Sequence, residues 1–222
     1  MQGFDFSEYR RDSIGRFRRI VDANQKGACD EQGLPSYLNS NLLMRWLVWK
    51  RVEIVINAIK KYGPYQNALD FGCGYGVFLP FLNMHSQTTF AYDLIIDKVK
   101  TACQGYQWKN IIYISDLNEL TSKRKSLDLI LAIEVLEHIE NTEEISSMFA
   151  DLLSPNGHLL VAGPTENWIY KIGRKLAGYS GEYHVQNIYD IIQVLAKRYK
   201  IKKISTLVPG LPFFEVYDCT II

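Results

Sequence analysis

Five short apolar runs recur between residues 67 and 163, each followed by a stretch that mixes charge with spaced hydrophobics. They are Asn67–Phe71, Thr88–Tyr92, Ile111–Ser115, Leu127–Ile133 and His158–Gly163. Apolarity that runs on over so few residues marks strands buried on both faces. Such strands, separated by helical stretches, predict a parallel sheet covered by helices on both sides. Between the last two runs, Asn141 and Glu144 form a cap pair for a helix whose apolar face is Ile145, Met148, Phe149, Leu152 and Leu153. Ser154-Pro155-Asn156-Gly157 reads as the turn after it.

Upstream, Leu42, Trp46, Trp49, Val52, Ile56 and Ile59 recur at helical steps. Lys50, Arg51, Glu53, Asn57 and Lys60 lie on the opposite, polar face, and Gly63-Pro64 ends the helix. Downstream, a helix near Ile188–Tyr199 leads to two runs, Ile201–Val208 and Phe213–Ile222, joined by only four residues. A parallel crossover needs a dozen or more, so these two strands are antiparallel. The expected fold is α/β: a doubly wound, mostly parallel seven-stranded sheet, Rossmann-like, that ends in an antiparallel hairpin. Residues 1–62 form an N-terminal arm and helix packed on or capping a core of 63–222. The segment 164–186, rich in aromatics and glycine, is an insertion after the fifth strand that serves as lid and acceptor pocket.

A chain of 222 residues, 47% hydrophobic, suits one well-buried domain with an elaboration. Its net charge of +1 supplies no overall field for nucleic acid, which is not expected as a partner. The local exception is Arg10, Arg11, Arg16, Arg18 and Arg19. This stretch reads first as a solvated helix or frayed arm, and second as a contact for an acidic partner, phosphorylated substrate or membrane surface. Cys29, Cys73, Cys103 and Cys219 show no CxxC pairing, and no run reaches the length of a membrane span. A reduced cytoplasmic protein is expected, with peripheral membrane contact left open and the oligomeric state unassigned.

The first strand runs into "ALDFGCGYGVF", residues 68 to 78, with glycine at every second position after an aspartate. No Gly-Lys-Ser/Thr follows, which excludes a phosphate loop. A dinucleotide turn needs glycine at its sixth position, where Val77 stands; the third glycine, Gly76, comes one position early. The spacing therefore argues against a diphosphate ligand, and the neighbouring residues must decide.

Its D-x-G-x-G-x-G spacing resembles motif I of the class I S-adenosylmethionine-dependent methyltransferases. The resemblance extends to Asp93, with Leu94, at the end of the second strand, and to Ser115-Asp116-Leu117 after the third. "AIEVLEHI", Ala132 to Ile139, resembles the E-V-L-E-H segment of ubiquinone-type methyltransferases. "LLSPNGHLLVAGPT" resembles a later family signature, with Asn156 in place of a glycine, a residue that also tolerates positive φ. The resemblance implies S-adenosylmethionine as cofactor, held by Asp70, Gly72, Gly74, Gly76, Asp93, Leu94, Asp116, Leu117 and Glu134. In the family, the counterpart of Asp93 takes the ribose hydroxyls, and that of Asp116 takes the adenine amino group.

The activity implied is methyl transfer to a small-molecule acceptor, with an oxygen of a glycan- or lipid-linked metabolite favoured. An alcohol acceptor needs a base, and His138 and His184 are the candidates. His85 and His158 read as structural. Glu134, Glu137 and His138 match an E-x-x-E-H arrangement that binds a divalent cation in some relatives; many others carry it without metal, and none is expected here. The rival readings are a nicotinamide-dependent oxidoreductase and a cofactor-binding scaffold without catalysis.

Overall fold

The computed structural model describes residues 5–23, 34–165, 186–208 and 211–222. Its frame is seven strands: β1 (Tyr65–Phe71), β2 (Ser86–Tyr92), β3 (Ile111–Ile114), β4 (Leu127–Ile133), β5 (Leu153–Pro164), β6 (Tyr199–Val208) and β7 (Leu211–Ile221). They form one sheet in the order β3-β2-β1-β4-β5-β7-β6. The first five pair in parallel, and β7 runs antiparallel to both β5 and β6. The expected doubly wound sheet with its closing hairpin is therefore what the chain adopts. Val208 pairs directly with Leu211, as so short a connection requires.

Side chains alternate between two buried layers. Ala68, Leu129, Leu131, Leu160 and Ala162 face α1 (Phe6–Ala23), α2 (Leu34–Tyr37), α3 (Leu42–Tyr62), α4 (Leu79–His85) and α5 (Ile96–Ala102). Leu69, Phe71, Ile130, Ala132, Leu159 and Val161 face α6 (Thr142–Leu152) and α7 (Ile188–Leu195). Period-two alternation with apolar residues on both sides is the signature of a doubly covered sheet.

Three local readings change. The basic arm is no solvated helix: Tyr9, Ser13, Arg16 and Phe17 of α1 are buried at helical spacing, while Arg11, Arg18 and Arg19 are exposed. An arginine inside the buried stripe disguised that face. Phe17 packs against Tyr37 and Trp49, and its burial alone contributes about 1.5–3 kcal/mol. Ser154 to Gly157 is not a free turn but the start of β5, where the pairing with β4 slips between Leu127 and Leu129. A Cβ on Gly157 would lie 2.7 Å from the Leu127 carbonyl oxygen, so the slip depends on that glycine. The helix before β6 stops at Leu195, and Tyr199 opens the strand, its hydroxyl donating to the Ser146 carbonyl at 2.8 Å.

Candidate active site

Strand order reverses at β1, flanked by β2 and β4, and the carboxyl ends of the parallel strands meet along one edge. Open α/β sheets place their ligands there. The glycine turn leaves β1 at this edge, with Gly72 N–H and Cys73 N–H both donating to the Tyr92 carbonyl of β2. Gly72, Gly74 and Gly76 all adopt positive φ (74°, 54° and 68°), which L side chains rarely do. Their surroundings differ. A Cβ on Gly72 would meet Val135 at 2.4 Å, and one on Gly76 would meet Cys103, Leu79 and Val99 at 3.0 Å. A Cβ on Gly74 would meet nothing within 4 Å. Gly72 and Gly76 are thus fixed by packing inside the protein, whereas Gly74 faces open space.

Asp70, on the last turn of the pleat before the loop, is 2% exposed, and its Oδ2 has no hydrogen-bond partner. Burial, and then the charge of Asp93, push its carboxyl up to about 7. A buried carboxylate with an unpartnered oxygen is costly unless a cation or donor completes it. Asp93 is tied down: Oδ2 accepts from Gly74 N–H at 2.9 Å and Oδ1 from Ile95 N–H at 3.0 Å. Beside it, Leu94 and Ile95 stand exposed, an apolar rim next to the acid. Burial raises the Cys73 and Cys103 thiols above their usual range, so neither is disposed to act as a nucleophile.

Asp116 caps the 3-10 helix Leu117–Lys123, its Oδ1 accepting from Asn118 N–H at 2.9 Å and Glu119 completing a capping box. Leu117 begins that helix and packs against the second layer. Glu134 follows β4 at φ 53°, its N–H donating to the Ala162 carbonyl at 2.8 Å. A non-glycine residue in this region stores about 1–2 kcal/mol of strain. Its carboxylate forms an ion pair with Arg51 of α3, whose guanidinium also lies 5.3 Å from the Phe214 ring centroid.

The edge thus gathers Asp70, the three glycines, Asp93, Asp116 and Glu134. His138 ends the short turn Leu136–His138 after β4 and is exposed, while its neighbour Glu137 is 2% exposed. Among the described residues no three His, Cys, Asp or Glu side chains form a group able to hold a metal. His184 and residues 166–185 of the acceptor segment lie outside the described residues. His158 sits at the far end of the sheet, hydrogen-bonded to Asp218 at 2.8 Å and stacked on Tyr62.

Two arginines near this edge were not legible as inward-facing. Arg51 read as part of the polar face of α3, and only its partner 83 positions away reveals otherwise. Arg16 read as one of a solvated basic run. Tyr37 of α2 lies among them: the charges that bear on its hydroxyl are those of Glu134, Arg51, Asp70 and Arg16, and burial, the larger effect, raises it.

A family model described as "Methyltransferase domain" matches residues 15–199. Among curated proteins, the chain is 29% identical over 118 residues to a ubiquinone biosynthesis O-methyltransferase of Rickettsia bellii, covering 50% of this chain and 49% of that one. It is 26% identical over 106 residues to the protein of the same name from Coxiella burnetii, covering 46% and 45%. The chain spans about half the length of these relatives. Among solved structures, the N-methyltransferase NodS from Bradyrhizobium japonicum, in complex with S-adenosyl-L-homocysteine, aligns with a TM-score of 0.62 at 18% identity, covering 94% of this chain and 98% of that one. A SAM-dependent methyltransferase from Aquifex aeolicus aligns with a TM-score of 0.62 at 13% identity, covering 99% and 100%. At these identities the structures speak for the fold.

Proposed function

The chain belongs to the methyltransferase-domain family, and from that premise we propose that it transfers a methyl group from S-adenosylmethionine to a small-molecule acceptor. One observation carries the reading: a fully buried carboxylate, Asp70, keeps an unpartnered oxygen beside a glycine turn whose middle member, Gly74, faces open space. That combination fits a ligand with an ammonium for Asp70 and a body that must pass close to backbone. It does not fit a diphosphate, which a buried carboxylate repels.

The residues fit the cofactor in parts. Gly74 leaves room at the turn, and Asp93, held by Gly74 and Ile95, offers its remaining lone pairs to ribose hydroxyls. Leu94 and Ile95 supply an apolar rim for a flat base, next to Asp116 and Leu117. Glu134, anchored by Arg51, borders the tail. When bound, S-adenosylmethionine supplies an electrophilic methyl on sulfur. The chain's own task is to align the acceptor and remove its proton. His138, or His184 of the acceptor segment, is the base in this reading. The curated relatives' names favour oxygen as the methylated atom, and a hydroxyl of a glycan- or lipid-linked metabolite is the acceptor class we favour.

Calorimetric titration with S-adenosylmethionine and S-adenosylhomocysteine tests the cofactor. No binding at millimolar ligand would sink the proposal. Incubation with methyl-labelled cofactor and a metabolite extract tests the acceptor: label on an ether or ester oxygen supports it, and label on nitrogen overturns the oxygen assignment.

A further inference from the structure

Leu42, Leu43 and Trp46 stand in water at the start of α3, 70%, 63% and 46% exposed. Periodicity assigns Leu42 and Trp46 to the stripe that continues through Trp49, Val52, Ile56 and Ile59, yet the structure buries only the later four. The reason is where the helix lies. Tyr62, its last residue, stacks on His158 at the far end of the sheet, and Arg51 pairs with Glu134 at the carboxyl edge of the strands. Leu42 comes nine residues before Arg51, about 13 Å further along the axis at 1.5 Å per residue. The first turns of α3 therefore overhang the edge that carries the glycine loop and Glu134, beyond the reach of the sheet.

The overhang is held in place. Asn41 caps it, its Oδ1 accepting from Leu43 N–H at 3.0 Å and Met44 N–H at 3.2 Å, and Arg45 donates to the Asn39 carbonyl at 3.3 Å. Steps of one and four residues put the three apolar side chains within an arc of about 100°. A contiguous apolar patch on a fixed element marks a surface that meets a partner.

Charge narrows what that partner is. From Leu34 to Val52 the chain has no acidic residue, and Arg45 stands among the three apolar side chains. Arg18 and Arg19, exposed in α1, follow Phe17, whose ring meets Tyr37 at 5.3 Å, five residues before Leu42. Leucine and tryptophan on one arc with arginine beside them suit the headgroup level of a bilayer that contains anionic lipid. A second copy of the chain would instead bring like charges together.

We infer that the overhang of α3 is a membrane-docking surface, with Leu42, Leu43 and Trp46 entering the headgroup region of an anionic bilayer and holding the glycine-loop edge towards it. The docking is peripheral; among the described residues no helix is long and apolar enough to cross a membrane. The inference stands apart from the methyl-transfer reading, because vesicle binding needs neither cofactor nor acceptor.

The test sediments the full chain with vesicles of phosphatidylcholine alone and of phosphatidylcholine mixed with phosphatidylglycerol. Wild type should pellet with the mixed vesicles and only weakly with phosphatidylcholine. L42S/L43S/W46S should bind the mixed vesicles at least about 10-fold more weakly, the factor that burial of even one such side chain supplies. Its melting temperature should match that of wild type, since all three side chains are already in water. W46F should still pellet, while the blue shift of tryptophan emission on adding mixed vesicles should shrink. Wild type that pellets with neither vesicle, equal binding to both, undiminished binding of the triple variant, or an unchanged blue shift in W46F overturns the inference. A triple variant that melts lower than wild type shows the overhang packed within the fold and overturns it as well. So does a wild type that ignores vesicles but sediments as a dimer in the ultracentrifuge where the triple variant is monomeric, which makes the overhang an interface between copies.

Discussion

Asp93, at the end of β2, accepts a hydrogen bond from the backbone N–H of Gly74 at 2.9 Å. The acid of the second strand and the glycine turn of the first are thereby one unit before a ligand arrives. Its other oxygen fixes Ile95, so the apolar rim is set by the same side chain.

Replacing Asp93 with alanine should therefore do two things at once. It frees the Gly74 N–H and removes the acceptor proposed for ribose. Hydrogen bonds to a charged group are worth about 1.5–3 kcal/mol each, so affinity for S-adenosylhomocysteine should fall at least about 10-fold. Asp93→Asn, which keeps one acceptor, should fall between. Calorimetry that finds D93A as tight as wild type would show that Asp93 shapes the loop and nothing more.

The glycines should separate stability from binding. Gly72→Ala drives a Cβ to 2.4 Å from Val135 and strains a left-handed backbone, so it should lower stability by well over the 1–2 kcal/mol of strain alone, roughly doubling that cost. Gly74→Ala meets nothing and should cost only about 1–2 kcal/mol in thermal or urea unfolding. Yet G74A should bind cofactor more weakly, because the space it fills is the ligand's. Equal stability losses in the two variants would contradict the packing argument.

How much of this was legible in the chain depends on how far each interaction reaches. The five parallel strands read correctly because continuous apolar runs are local, and the glycine turn read correctly because its spacing is too. Asp116 read only as a ligand; that it also caps a helix, in a box with Glu119 three residues on, emerged from the structure. Arg51 and Arg16 were hidden for a common reason. Each occupies a helical position that periodicity assigns by residue type, and a charged residue is placed by default in water. Long-range contacts, spanning 83 residues to Glu134 and 87 to Cys103 among them, turn them inward. The slip in β5 was hidden differently: Ser154-Pro155-Asn156-Gly157 has turn composition, and only pairing with Leu127 extends it as a strand.

Asp70 should make the protein's response to pH change sign when ligand binds. Its carboxyl, raised to about 7 by burial and by Asp93, holds its proton in the folded chain where an unfolded aspartate has lost it. The folded state thus binds more protons between about pH 4 and 7, and stability without ligand falls as pH rises across that window. Cofactor affinity should move the other way, rising through about pH 7 as the carboxylate forms and pairs with an ammonium. D70N should flatten both profiles. Urea unfolding and calorimetry from pH 5 to 8 read the two slopes, and parallel slopes would remove Asp70 from the ammonium role.

Glu134 combines a strained backbone with an ion pair, and two substitutions take these apart. Glu134→Ala loses the partner of Arg51 and keeps a Cβ at φ 53°. Glu134→Gly loses the same partner but relieves the left-handed strain, worth about 1–2 kcal/mol. E134G should accordingly be the more stable of the two by about 1 kcal/mol, a reversal of the usual cost of replacing alanine with glycine. Both should weaken when Arg51 is retained, since its guanidinium, 18% exposed at the side chain, is left without its carboxylate. Adding R51M to E134G should then restore part of the loss, giving a coupling of about 0.5–3 kcal/mol in a double-mutant cycle. If the two single variants unfold at the same urea concentration, the residue after β4 stores no strain, and the ion pair alone accounts for its geometry.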